Sequence, residues 1–184
     1  NDFVNRKIKW TEELENHMKR GNELIYEEKK IIKSLYRPFV KEYLYFDRII
    51  THRLYQNENI YGLKTKHENI CIGFSGVGAN KPFSSLASNV LFGIDFLEKT
   101  QTLPLYYYGA ENNRIDNITD WGLQQFQTHY KDKKIKKEDI FNYVYGVLHN
   151  PAYRTKYELN LKREFPRIPF YEDFKKWSNW GRKL

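Results

Sequence analysis

Hydrophobic and polar positions follow three regimes along the chain. From residue 10 to 35 apolar side chains recur at helical spacing. Trp10, Leu14 and Met18 stand at i, i+4, i+8, and Leu24, Ile25, Ile31, Ile32 and Leu35 continue an apolar face beyond Gly21. This predicts helical structure with a break at Gly21, ended by Pro38, which pushes Arg37 toward extended backbone. From 39 to 108 the runs are short and rich in β-branched or aromatic residues: Tyr43–Phe46, Ile70–Phe74, Val90–Phe92 and Leu103–Tyr108. Turn-forming residues separate them, the pattern of strands in a mostly antiparallel sheet, with Pro104 at an edge or a late start.

From 117 to 165 helical stripes return. Leu123, Phe126 and Tyr130 share one face, Ile140, Phe141, Val144 and Leu148 a second, and Tyr153, Tyr157 and Leu161 a third. Pro151 suits the first turn of a helix. Phe170, Phe174, Trp177 and Trp180 are expected to pack back on the body. The whole reads as α+β: a mostly antiparallel sheet flanked by an N-terminal helical segment and a C-terminal helical subdomain. The expected divisions are 1–36 (helical), 37–112 (strand-rich) and 113–184 (helical), all within one compact domain.

Composition and charge refine this reading. The 184 residues include 15 Tyr, 12 Phe and 4 Trp, too aromatic for a disordered chain. The single cysteine, Cys71, excludes an internal disulfide and a cysteine-based metal cluster, and fits a reducing cytoplasm. No run of about 18 apolar residues is present to span a membrane. The chain opens on Asn1 without a signal-peptide pattern, so a piece of a longer polypeptide is expected. The net charge is +8, of which residues 131–184, with 14 basic and 7 acidic side chains, hold +7. Such an excess attracts polyanions, nucleic acid foremost, although Lys131, Lys133, Lys134, Lys136 and Lys137 also read as a solvated loop.

Candidate chemistry is sparse. Asn150-Pro151-Ala152-Tyr153 superficially matches the base-holding motif of adenine-N6 methyltransferases. Its third residue is Ala, and it joins two helices, so a helix cap explains it. The five histidines are scattered at spacings that suit no metal, and there is no nucleophile elbow. The stretch Gly73–Ser84, with Gly76 and Gly78, reads equally as a phosphate-cradling loop and as a tight turn needing positive φ. Basic and aromatic residues interleave through Tyr36–Tyr45 and on to Arg48, Arg53 and Tyr55. That mixture suits DNA contact, and it also suits half-buried strands.

Several segments together carry a resemblance. They are Tyr36-Arg37-Pro38-Phe39 with Leu44-Tyr45-Phe46-Asp47; Gly76-Val77-Gly78 with Lys81, Phe83 and Ser84; Leu103–Tyr108; Asp116–Trp121 through Asp139–His149; Pro151–Arg154; and Leu161–Phe170. In order and spacing the chain resembles the C-terminal specificity domain of type ISP restriction–modification enzymes. These are single polypeptides that join a nuclease, a helicase-type translocase, an adenine-N6 methyltransferase and a target recognition domain. Val40 and Phe165 depart from the pattern, where an acidic residue and a Leu are expected.

The resemblance implies sequence-specific recognition of double-stranded DNA, with upstream methyltransferase and helicase domains as partners in the same polypeptide. It implies no catalytic residue, metal or cofactor in this segment, whereas the parent would use S-adenosylmethionine, ATP and Mg. From charge and loop position, the residues expected to touch DNA are Arg37, Lys41, Arg48, Arg53, Ser75, Asn80, Lys81 and Ser84, with Lys64 and Lys66 as weaker candidates. On this reading base contacts come from residues 37–84, and the terminal basic excess anchors phosphates at most. The rival expectation is a structural module that docks on the parent's methyltransferase domain without reading bases.

Overall fold

A computed structural model describes residues 10–52, 54–61 and 69–184. Helix α1 (Glu12–Lys19) starts where the sequence places it. The Thr11 hydroxyl accepts from the Leu14 amide at 3.2 Å, and Glu12, Glu13 and Glu15 complement the helix N-terminus. The helix ends before Gly21, whose φ of 71° favours a residue without a side chain.

The expected helical face beyond Gly21 is corrected here. Residues 28–30 form one 3₁₀ turn, and Ile31–Arg37 is strand β1. It pairs antiparallel with β2 (Val40–Tyr45) through a turn at Pro38-Phe39. Ile31, Ile32 and Leu35 fit a helical spacing, but pairing with β2 and burial of Leu35 override it. On its other side β1 pairs in parallel with β5 (Leu91–Phe92).

The strand-rich middle divides into three small sheets rather than one. The first has the order β2-β1-β5; the second, β4-β3-β6, is built from β3 (Cys71–Phe74), β4 (Ser85–Ser88) and β6 (Gln101–Pro104); the third is the pair β7 (Tyr106–Tyr108) and β8 (Arg114–Asp116). Pro104 ends an edge strand, as expected. A short helix, α2 (Asn57–Tyr61), packs against β7.

Strand β3 is buried along its whole length and partitions two cores by simple alternation. Ile72 belongs to the larger core with Tyr143, Val147, Leu148 and Tyr153. Cys71 faces the smaller one, with Leu35, Phe46, Leu91, Phe92 and Phe96. Burial pushes the Cys71 thiol up to about 12. On the same side a Cβ at Gly73 would come within 3.1 Å of the Phe92 ring, so the glycine lets that ring lie close on the strand.

The helical end follows its sequence signals closely. Helices α3 (Asp120–Tyr130), α4 (Lys137–Leu148), α5 (Pro151–Lys156) and α6 (Glu158–Arg163) succeed one another. Thr119 caps α3 by accepting from Gly122, and Asn150 caps α5 by accepting from Ala152 at 3.0 Å, which is the structural role expected of Asn150-Pro151. The aromatic tail becomes a further helix, α7 (Phe174–Lys183), laid tightly along α4. Their backbones meet at two glycines: a Cβ on Gly146 would lie 2.7 Å from the Trp177 carbonyl oxygen, and one on Gly181 would collide with the Asn142 carbonyl.

The helices are also fastened to the sheet. The Tyr145 hydroxyl accepts from the Ala87 amide at 3.0 Å, and Arg154 reaches the Leu148 carbonyl at 2.6 Å and the Ser85 hydroxyl at 3.4 Å. His149 sits beside Ser85 in this joint, and burial holds its imidazole below the usual histidine range.

Candidate nucleic-acid interface

The expected contact residues fall into three groups. Arg37 ends β1, where its guanidinium lies 4.7 Å from the Tyr36 ring centre and donates to the Asp95 carbonyl. Lys41 is exposed on β2, opposite Leu35, and makes no ion pair with the described residues. Together with exposed Lys33 they give residues 31–45 three cations against one acid, Glu42.

The second group is the glycine-containing loop after β3. Its backbone amides do form a cradle, but an internal carboxylate fills it. Glu98 accepts from the Asn80 and Lys81 amides, both at 3.0 Å, and from the Asn80 side chain at 3.3 Å. These donors hold the Glu98 carboxyl below its usual range. Lys99 closes the ring from outside by donating to the Gly78 carbonyl at 2.8 Å, and a Cβ on Gly76 would collide with the Lys99 carbonyl. Of the two readings of this loop, the tight turn fits: Gly78 has φ 74°.

Ser75 and Ser84 brace the base of the loop. The Ser75 amide donates to the Ser84 carbonyl and the Ser84 amide to the Ser75 hydroxyl, each at 3.0 Å. Ser75 is buried, so it supports the loop rather than presenting a group to a partner. Asn80 and Lys81 remain exposed at the rim.

The third group separates from the first two. Arg48 forms a two-pronged pair with Glu58, its Nε 2.8 Å from both carboxylate oxygens, which occupies the fork needed for a base edge or phosphate. Close by, Lys30 bridges Asp47 at 2.8 Å and Glu27 at 2.6 Å. The paired Lys29 and Lys30 pull the Glu27 carboxyl down to about 2. Arg53, Lys64 and Lys66 lie outside the described residues.

One segment joins the first two groups. The loop after β5 gives the Asp95 carbonyl to Arg37 at one end and the Glu98 carboxylate to Asn80 and Lys81 at the other. The hairpin end and the glycine loop are therefore braced against a common support.

Selecting by charge misses the most conspicuous side chains here. Phe39 is 87% exposed and Tyr43 76%, with Tyr36, Val40 and Ile94 also open to solvent. All but Ile94 lie inside the aromatic–basic run Tyr36–Tyr45, so the signal was in the sequence. What the sequence does not reveal is which of those rings point outward. The basic C-terminal region is partly neutralised: Lys137 pairs with Asp116 and Asp120, Lys175 with Asp132, and Arg182 with Asp139. Among the described residues no three His, Cys, Asp or Glu side chains are grouped to hold a metal, and no helix is long and apolar enough to cross a membrane.

Fold and site together define an α+β domain that displays a basic, aromatic hairpin from a rigid body. Solved structures share this fold. The DrdV–DNA complex, determined by cryo-electron microscopy, matches with TM-score 0.92 at 46% identity, over 97% of this chain and 18% of that one. A nuclease-deletion mutant of the type ISP restriction–modification enzyme LlaGI, in complex with a DNA substrate mimic, matches with TM-score 0.80 at 30% identity, over 96% of this chain and 13% of that one. The ATP-dependent type ISP enzyme LlaBIII bound to DNA matches with TM-score 0.84 at 26% identity, over 96% and 12% respectively. The chain thus spans less than a fifth of the length of each. Curated protein sequences yield no match. The family model of the type ISP C-terminal specificity domain matches residues 2–184, and the chain belongs to that family.

Proposed function

We propose that the chain is the target recognition domain of a type ISP restriction–modification enzyme and reads a short duplex DNA site for catalytic domains upstream in the same polypeptide. The observation that carries this reading is the 46% identity, across nearly the whole chain, to part of a protein solved as a DNA complex. Lysines and arginines set register on phosphates, and polar loop side chains read base edges. Arg37, Lys41, Asn80 and Lys81 are expected contact residues that remain exposed for this task, whereas Arg48, also exposed, has its guanidinium engaged by Glu58.

Methyl transfer, translocation and cleavage, with their S-adenosylmethionine, ATP and Mg, belong on this reading to the upstream domains, and the enzyme works in the cytoplasm. At the helical end Trp121, Leu159 and Phe165 are each large, apolar and exposed, open to contact with those domains.

Fluorescence anisotropy of the purified chain with labelled duplex DNA over a salt series tests the proposal. Log affinity is expected to fall linearly with log salt, with a slope of about −0.9 per phosphate neutralised. Absence of binding at low salt, with tight binding to the upstream domains, would leave docking as the function. Methyl transfer by the 184 residues alone would overturn the non-catalytic assignment.

A further inference from the structure

Resting on the DNA-recognition reading, we propose that Phe39 is an apolar wedge that the β1–β2 hairpin drives between stacked base pairs of its duplex. Among the described residues it is the most exposed large hydrophobic side chain, and it stands beside Pro38 at the hairpin turn. Its backbone has φ 67°, the left-handed region that glycine occupies freely and a bulky aromatic disfavours. A turn selected only for stability would carry Gly or Asn there. An aromatic residue kept in a disfavoured conformation, with its ring in water, points to a use for the ring.

The stem is built to bear load. Leu35 is buried and pairs with Phe92 of β5, the Gly93 amide donates to the Leu35 carbonyl at 2.9 Å, and Ser34 donates to the Leu91 carbonyl at 3.2 Å. Arg37 ties the last stem residue to Asp95. The tip therefore projects from a braced ribbon rather than a floppy loop.

The surroundings select the occupant. Arg37 and Lys41 stand near the apolar tip and Lys33 lies further down the stem. Within residues 31–45 only Glu42 is acidic, with Asp95 of the neighbouring loop beside Arg37. Lysine is depleted in protein–protein interfaces, whereas apolar wedges flanked by cations are how proteins enter and kink duplex DNA. A two-stranded ribbon is of a size that grooves admit. The Arg37 guanidinium over Tyr36, with Tyr43 also open, adds flat surfaces beside the wedge.

The test begins with duplexes selected from a random-centre pool by repeated retention on the purified chain. 2-Aminopurine is then placed at successive positions of a selected duplex, where its fluorescence rises on unstacking. The wild-type chain is expected to brighten one step. Phe39→Ala should abolish that signal and weaken binding about tenfold, within the range for loss of one aromatic–base stack. Its salt slope should stay unchanged, since no charge is removed. Phe39→Gly should bind as weakly as Phe39→Ala while melting at or above the wild-type temperature, because it relieves the left-handed strain; a ring needed for folding would lower it. If selection enriches no duplex, the DNA reading fails and the wedge with it. If duplexes bind but no position brightens, or if Phe39→Ala keeps wild-type affinity, the wedge is wrong and DNA recognition stands.

Discussion

The helical body and the β1–β2 hairpin use the same side chains to opposite ends. In the body, Tyr143 and Tyr153 are buried, Tyr130 is half-buried, and the three hydroxyls are matched. Tyr143 donates to the Pro169 carbonyl and accepts from the Tyr171 amide, both at 2.7 Å, Tyr130 donates to the Tyr171 carbonyl at 2.7 Å, and Tyr153 donates to Arg167 at 3.0 Å. Several cations there, Lys137, Lys175 and Arg182 among them, pair with carboxylates. In the hairpin, Tyr36, Phe39 and Tyr43 face solvent, and Lys33 and Lys41 lack such partners among the described residues. Aromatic and basic content alone therefore says nothing of role; what distinguishes the regions is whether each group's interactions are used up inside the fold.

The sharpest test of that contrast is the crossing of α4 and α7. Gly181→Ala puts a methyl group into the Asn142 carbonyl, a backbone atom that no rotamer change can move aside. Forcing the helices apart should cost about 3 kcal/mol, the upper end for overpacking. Tyr43→Ala in the hairpin should change stability by less than about 0.5 kcal/mol, as for an ordinary surface site, while weakening duplex binding. Urea unfolding of both variants checks the pair; equal losses would dissolve the distinction between body and hairpin.

Tyr143→Phe is the next step down. It preserves the ring stacked on Phe174 and removes only the hydroxyl. The Pro169 carbonyl and the Tyr171 amide then lose their partner in a part-buried site. The expected loss is about 1–3 kcal/mol, the cost of buried polar groups left unmatched. A loss near zero would show that water replaces the hydroxyl and that the tyrosine network is ornamental.

Legibility in the sequence followed the same divide. Helices α3, α4 and the start of α5 were readable because apolar stripes and local caps agree, as Thr119 and Asn150-Pro151 show, whereas the third stripe, Tyr153, Tyr157 and Leu161, is broken at Tyr157 into α5 and α6. Strand β1 was misread because Ile31, Ile32 and Leu35 fit a helical spacing, while what extends them is pairing with β2 on one side and with Leu91 and Phe92, more than fifty residues away, on the other. Strands β4 and β8 carry little strand propensity of their own. Ser85–Ser88 and Arg114–Asp116 are extended because β3 and β7 pair with them. At the site, charge located the right segments but not the free groups. The partner that occupies Arg48 is Glu58, and the one that occupies the Asn80 and Lys81 amides is Glu98; both sit outside any local pattern. Phe39 lay within the readable run, yet its outward, left-handed placement is a property of the hairpin turn.

The smallest expected effect concerns Glu98, where internal satisfaction meets the proposed interface. The Asn80 and Lys81 amides depress its folded pKa, so its stabilisation is full above the ordinary carboxyl value of 4.5 and is lost as pH falls through the lowered folded value. Glu98→Gln removes the charge and keeps an acceptor for only one of the two amides, since Asn80 and Lys81 donate to different carboxylate oxygens and one of these becomes an NH2 donor. The two proteins should therefore differ in thermal midpoint at neutral pH and converge in acid. Removing the carboxylate also removes a negative charge from between two amides that could otherwise face a phosphate. If DNA runs past this loop, Glu98→Gln should tighten duplex binding modestly and steepen its salt dependence. Unchanged affinity, with the melting difference present, would confine the interface to the hairpin and leave the glycine loop to the side of the body, its cradle serving the fold alone.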